Sequence, residues 1–158
     1  MGPVHLREVT EDDLPTLFEQ QLDRDAVRMA AFPSRDREAF FAHWAKILRN
    51  EPVYIRAIVC DGQVAGSIMS FVRDGKQFIG YWLAKAHWGR GIASAALPQF
   101  LELLPMRPLH AYVAKHNPAS LRVLQKSGFT ICGEGTFEFE GEQMEEFLLV
   151  LTKYEPEA

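Results

Sequence analysis

Apolar and polar positions alternate with a period of two from Val4 to Val9, so the chain opens on a strand. Thr10, followed by Glu11, Asp12 and Asp13, reads as the cap and acidic first turn of a helix running to about Leu22. Ser34 caps a second helix, Asp36 to Arg49, whose apolar stripe is Phe40, Phe41, Trp44, Ile47 and Leu48. The segment between them, Asp23 to Pro33, has no clean period, and its helical content stays open. A meander follows. Val53 to Cys60 reads as a strand, Asp61-Gly62 as a tight turn and Val64 to Val72 as a strand. Arg73 to Lys76 is a second turn, and Gln77 to Leu83 a third strand of the meander.

The period then changes to that of a helix. Ile92, Ala93, Ala96, Leu97, Phe100, Leu101 and Leu104 fall on one face. Pro98 lies inside this pattern and removes the backbone bond to the carbonyl of Ser94, which predicts a kink or a shortened helix. Leu109 to Ala114 is a short strand. Asn117-Pro118 reads as an N-cap followed by proline at the first helical position, and Gly128 as the helix's left-handed end, with Phe129 folding back apolar surface. Phe129 to Phe139, the turn at Glu140-Gly141 and Gln143 to Leu151 form a closing hairpin.

The predicted order is β-α-α-β-β-β-α-β-α-β-β, an α/β chain with one mixed sheet and helices on both faces. No repeat, low-complexity tract or linker interrupts it, so residues 1–158 read as a single domain. Composition is that of an ordinary globular protein, 47% hydrophobic and 24% charged. A net charge of −4 without a basic run excludes a nonspecific nucleic-acid binder. Cys60 and Cys132 both lie in apolar strand-like runs and read as buried free thiols. The N-terminus lacks a signal segment, and Leu6 breaks the myristoylation pattern. No apolar run reaches the length of a membrane span, so a cytoplasmic location is the default expectation.

The chemistry concentrates at His87-Trp88-Gly89-Arg90-Gly91-Ile92-Ala93-Ser94, between a strand and a helix. Such a loop presents free backbone N–H groups at the positive end of a helix dipole, a site suited to a pyrophosphate. A side chain at either glycine would hold the phosphate away from the backbone. A P-loop is excluded because no Gly-Lys-Ser/Thr follows, and a dinucleotide fingerprint because residue 94 is Ser. Taken alone, the glycines fit a plain turn equally well. Arg90 fits a phosphate contact or a solvated charge. His5, His43, His87, His110 and His116 show no metal-ligand spacing, so no metal site is expected. Of these, His116 alone stands where chemistry is conceivable, and a loop histidine is the plainer reading. Tyr81 and Trp82 read as core and wall, and Phe32, Phe40, Phe41 and Trp44 as core, with the lining of an acceptor pocket as their other reading.

Three stretches in this order resemble the GCN5-related N-acetyltransferase family, and within it the ribosomal-protein N-terminal acetyltransferase-like branch. They are Gly80-Tyr81-Trp82-Leu83, Trp88-Gly89-Arg90-Gly91-Ile92-Ala93, and Asn117-Pro118-Ala119-Ser120 through Gly128-Phe129. The resemblance implies acetyl-CoA as co-substrate and a primary amine as acceptor. It implies that the strands before and after the glycine-loop helix splay apart, with the pantetheine arm between them. The diphosphate would sit on the backbone N–H groups of Trp88, Gly89, Arg90, Gly91, Ile92, Ala93 and Ser94. Asn117 would bond the pantetheine arm or neighbouring backbone, and Lys126 would approach the adenosine 3′-phosphate. A backbone N–H near Tyr81, Trp82 and Leu83 would face the thioester oxygen. Ser120 would lie near the sulfur as candidate general acid, although an exposed serine in a first helical turn needs no such role.

The chain departs from the branch in having Phe78 where a Glu is usual, Ser94 and Ala95 in place of a Thr-Glu pair, and Ala86 where Gln or Arg often opens the loop. The general base is therefore open, with a water chain, Glu138 and Glu145 as candidates. The acceptor is open too, among a protein N-terminus, an amino acid, a polyamine and an antibiotic. So is the oligomeric state, a homodimer included. A non-catalytic acyl-CoA-binding sensor or interaction module is the alternative from another class, and a longer acyl donor a third possibility.

Overall fold

The computed structural model describes residues 2–49 and 54–153. Val53, the expected start of the second strand, lies outside the described residues. Among the described residues, seven strands form one sheet: β1 (Val4–Arg7), β2 (Tyr54–Cys60), β3 (Gln63–Arg73), β4 (Lys76–Leu83), β5 (Leu109–Ala114), β6 (Thr130–Phe139) and β7 (Glu142–Leu151). Their order is β1-β2-β3-β4-β5-β7-β6. Only β4 and β5 run parallel; the other neighbours are antiparallel. The tight turns at Asp61-Gly62, Asp74-Gly75 and Glu140-Gly141 each place both central residues at positive φ, the conformation whose twist matches a two-residue hairpin.

Five α-helices among the described residues cover the sheet: α1 (Leu14–Gln20), α2 (Arg24–Ala30), α3 (Arg37–Arg49), α4 (Ile92–Leu103) and α5 (Pro118–Lys126). The segment left open in the sequence forms α2, so three helices, not two, precede β2. Asp23 caps it by accepting from the Ala26 N–H at 3.0 Å, and Ala31 ends it in the left-handed conformation. The first helix is also shorter than its pattern suggests. Thr10 leads into a 3₁₀ turn, Glu11–Asp13, before α1 ends at Gln20. Asp13 fixes this entry. It accepts from the Thr10 N–H at 2.8 Å and from both Arg7 guanidinium nitrogens at 2.7 and 2.8 Å. The Arg7 guanidinium holds the buried Asp13 carboxyl below the usual carboxylate range.

Pro98 does not shorten α4, which runs unbroken from Ile92 to Leu103. One lost backbone bond and the ring clash cost about 3 kcal/mol. Burial of Leu97, Phe100 and Leu101, each at most 1% exposed, contributes about 1.5–3 kcal/mol per side chain and outweighs it. α5 ends as its sequence predicts. The Phe129 N–H bonds the Leu124 carbonyl and the Gly128 N–H that of Gln125, the reciprocal pair of a Schellman cap, and Phe129 is buried.

Each face of the sheet has its own core. α4 and α5 pack Leu97, Phe100, Leu101 and Leu124 onto Ile58, Ile68, Ile79, Leu109 and Leu149. α1 and α3 pack Leu17, Phe18, Phe40 and Trp44 onto Ile55, Ala57 and Val59. Two core expectations fail. Phe32 is exposed, because α2 ends at Ala30 and sets it in the following loop. Cys60 is buried, but Cys132 is exposed, because the register between β6 and β7 shifts between Ile131 and Gly133 on an edge strand. No helix among the described residues is long and apolar enough to cross a membrane.

Candidate active site

The site begins where two parallel strands part. β4 and β5 pair at Phe78–His110 and at no later position. Each then follows its other neighbour. β4 stays in register with β3 as far as Leu83–Gly66, and β5 with β7 as far as Ala114–Glu146. Gly66 permits the first of these, since a Cβ there would stand 1.8 Å from the Trp82 carbonyl oxygen. The result is a gap between Gly80–Leu83 and Ala111–Ala114 in which edge backbone groups of both strands lack a ladder partner.

The glycine loop closes one end of this gap. Beyond Leu83 the chain makes a 3₁₀ turn, Lys85–His87, and the Trp88 indole N–H anchors it to the Leu83 carbonyl at 3.1 Å. Gly89 and Gly91 take φ of +73° and +74°, a region that penalises any Cβ. The space outside both is open: a Cβ added at either glycine would meet no atom within 4 Å. The first intrahelical bond of α4 is from Ala95 N–H to the Gly91 carbonyl at 3.1 Å. The N–H groups of Ile92, Ala93 and Ser94 therefore precede the ladder, at the positive end of a twelve-residue helix. The Ile92 and Ala93 side chains are core, so these residues offer backbone alone. The Arg90 guanidinium is engaged by protein groups, Asp61 Oδ2 at 2.8 Å and His87 Nδ1 at 3.1 Å.

α5 forms the other wall. Asn117 Oδ1 caps it by accepting from the Ser120 N–H at 3.2 Å. Ser120 Oγ lies 2.9 Å from the Tyr81 hydroxyl, which joins α5 to β4 beyond the last β4–β5 pair. Burial pushes the Tyr81 phenol up, and the bond to Ser120 partly offsets it. Lys126 stands exposed in the last turn of α5, about 12 Å along the axis from Pro118.

The opposite face differs in character. Phe78, Gly80 and Trp82 alternate onto it, away from Ile79, Tyr81 and Leu83. Phe78 is buried in a stack with Phe71 and Tyr112, at 6.1 and 5.1 Å, with His110 beside it at 5.6 Å. The Trp82 indole N–H and His110 Nδ1 are buried here without partners among the described residues. The half-buried Glu146, register partner of Ala114, has its carboxyl pushed up by burial, with Arg73 acting against this. Glu145 is exposed, 3.9 Å from the Lys115 ammonium.

A cavity of about 520 Å³ opens beside the gap, lined by Asp25, Arg28 and Met29 of α2, Lys85, Trp88, His116 and Met144. Ion pairs hold α2 over it: Asp25 with Lys85, Arg24 with Glu140 at 3.2 Å and Arg28 with Glu142 at 3.1 Å. His116 Nε2 donates to the Arg28 carbonyl at 2.7 Å, which fixes its tautomer. Among the described residues, no three His, Cys, Asp or Glu side chains gather as a metal site.

The fold thus brings the glycine loop, the end of β4, Asn117 and Ser120 around one gap, and leaves Lys126 and the Arg90 side chain outside it. Sequence reading left α2 open and missed the Tyr81 hydroxyl and Gly66. Strand alternation did carry a signal for Tyr81, since it shares the Ile79 and Leu83 face. Asp23 carried one for α2, as an N-cap residue ahead of Ala26 and Val27.

Comparison with known proteins agrees with this geometry. A family model described as an acetyltransferase (GNAT) domain matches residues 4–130. The Bacillus subtilis protein YjcK, described as a probable N-acetyltransferase, is 36% identical over 77 residues, 44% of this chain and 42% of that protein. The matched stretch thus spans less than half the length of that curated relative. Among solved structures, RimL, a ribosomal L7/L12 alpha-N-protein acetyltransferase in complex with coenzyme A, superposes with a TM-score of 0.83 at 20% identity, covering 96% of this chain and 95% of its own. The spermidine N-acetyltransferase of Vibrio cholerae, in complex with CoA and spermine, gives 0.82 at 15% identity over 94% and 95%. These likenesses establish a shared fold, and the family match over most of the length establishes membership: the chain belongs to the GNAT acetyltransferase family.

Proposed function

We propose that this chain transfers the acetyl group of acetyl-CoA directly to a primary amine. The observation that carries the reading is the parting of β4 and β5 after a single pair, with a left-handed glycine loop and the head of α4 at its mouth. The residues fit the co-substrate's chemistry. Open space over Gly89 and Gly91 and the unladdered N–H groups of Ile92, Ala93 and Ser94 suit a diphosphate. The free strand edges suit an extended amide-bearing arm, which would lie between them as an added strand. The thioester supplies an activated acyl carbon.

The chain supplies the rest. A β4 N–H among Tyr81, Trp82 and Leu83 donates to the thioester oxygen as negative charge builds on it. Ser120 delivers a proton to the sulfur as the carbon–sulfur bond breaks. Glu146, on the aromatic face one strand beyond β5, takes a proton from the incoming ammonium. Its raised carboxyl suits that task better than the exposed Glu145 or than Glu138. An α-amine, with a pKa of about 8, needs less help than a lysine amine at about 10.4. The amine enters through the cavity under α2, whose mixed lining admits a peptide or a small molecule. A single N-acetyltransferase domain over residues 1–158 accompanies this reading. So does a cytoplasmic location, which the two free thiols fit.

One observation favours the alternative of a non-catalytic acyl-CoA-binding module: Phe78, the usual Glu position of the branch, is sealed in an aromatic stack. Thiol release from acetyl-CoA separates the two readings, measured with peptides bearing free N-termini, amino acids, polyamines and aminoglycosides. The proposal predicts turnover on at least one class, and with Glu146→Gln a loss of rate at neutral pH that recovers as pH rises. Tight binding of acetyl-CoA with no turnover on any amine would favour the module.

A further inference from the structure

The Tyr81 hydroxyl has a function that its place in the strand pattern does not require. Tyr81 belongs to the face of β4 that packs on α4 and α5, where Ile79 and Leu83 are wholly apolar. A phenylalanine would fill that position. Instead the chain sets a hydroxyl against Ser120 Oγ at 2.9 Å, from the opposite side of the gap. A serine hydroxyl in the first turn of a helix has three staggered rotamers and a freely rotating hydrogen. The Asn117 cap engages only the Ser120 backbone N–H and does not select the direction of that hydrogen.

We infer that Tyr81 is a positioning residue: its phenol donates to Ser120 Oγ and leaves the serine's own hydrogen directed into the gap between β4 and β5. The inference rests on the acetyltransferase reading above, since it gives that hydrogen a destination. A phenol raised by burial stays protonated throughout the range in which amines are acetylated, so it remains a donor and never competes as a base. The donated bond also polarises the serine O–H, which strengthens it as an acid. The proton count closes. As the nitrogen–carbon bond forms and the carbon–sulfur bond breaks, its electron pair goes to sulfur. One proton passes from the hydroxyl pair to the sulfur, solvent returns one to the pair, and the amine gives one up to solvent or carboxylate.

A double-mutant cycle tests this on the amine found to turn over fastest. Tyr81→Phe keeps the ring and its packing, so the far-UV spectrum and thermal midpoint should stay near those of the unmodified protein. Its kcat should fall roughly tenfold, while KM for acetyl-CoA moves by less than about twofold. In a Ser120→Ala background the same change should cost less than about twofold, because the group it orients is gone. Two results overturn the inference: an unchanged kcat in Tyr81→Phe, or an equal tenfold loss in both backgrounds. Either would leave the proposed function standing if the unmodified protein turns over. Absence of turnover on every amine would overturn both.

Discussion

Gly91→Val is expected to lower acetyl-CoA affinity by at least a hundredfold while the chain remains folded. Gly91 is the N-cap of α4 at φ +74°, and a β-branched residue there is a severe outlier. A Cβ at this position has no atom within 4 Å other than its own chain neighbours. The side chain would enter the open space proposed for the diphosphate, and relaxing its φ would rotate the loop N–H groups out of alignment. A hydrogen bond to a charged group contributes about 1.5–3 kcal/mol, so losing two amounts to roughly 3–6 kcal/mol, or about 10² to 10⁴ in affinity. Gly75→Val is the matched control. Gly75 has the same φ of +74° and the same open surroundings, in the turn at the far end of β4. It should lose comparable stability and no affinity. Calorimetric titration of both variants checks this, and equal affinities would reduce the glycine loop to a turn.

Ser120→Ala is expected to lower kcat by roughly 10²-fold, the usual scale for loss of a general acid. The α5 cap survives, because Asn117 accepts from the Ser120 backbone N–H and not from its hydroxyl. Stability should fall by about 1 kcal/mol, the value of one hydrogen bond to a half-buried phenol. KM for acetyl-CoA should move little, because the lost interaction forms mainly in the transition state. Steady-state kinetics across pH on the best acceptor, with a thermal melt, reads all three. A kcat equal to that of the unmodified protein would remove Ser120 from the chemistry and leave protonation of the thiolate to water.

The period changes along the chain were enough to read most of the architecture. Alternation gave the strands, turn residues gave the hairpins, and Asn117-Pro118 with Gly128 bounded α5 within a residue or two. What escaped was decided by tertiary contact. α2 has seven residues and two buried ones, too few to show a period, and it is held by ion pairs to distant positions on β7, the β6–β7 turn and the loop after β4. Pro98 follows its local rule in losing a bond, but core burial overrides the break. The exposure of Cys132 depends on a register shift that an apolar run does not record. At the site, the glycines, Asn117 and Ser120 were legible as motif. The Tyr81–Ser120 bond joins residues 39 apart and required the three-dimensional fold. The same is true of Arg90, whose charge is drawn to Asp61.

The central claim is that acetyl-CoA lies between β4 and β5 with its diphosphate on the loop before α4. Amide hydrogen exchange with and without saturating acetyl-CoA tests it most directly. The account predicts added protection at residues 88–94, 80–83 and 111–114, with the β2–β3 hairpin at residues 54–73 unchanged. Protection confined to other segments, or none at saturation, would contradict it.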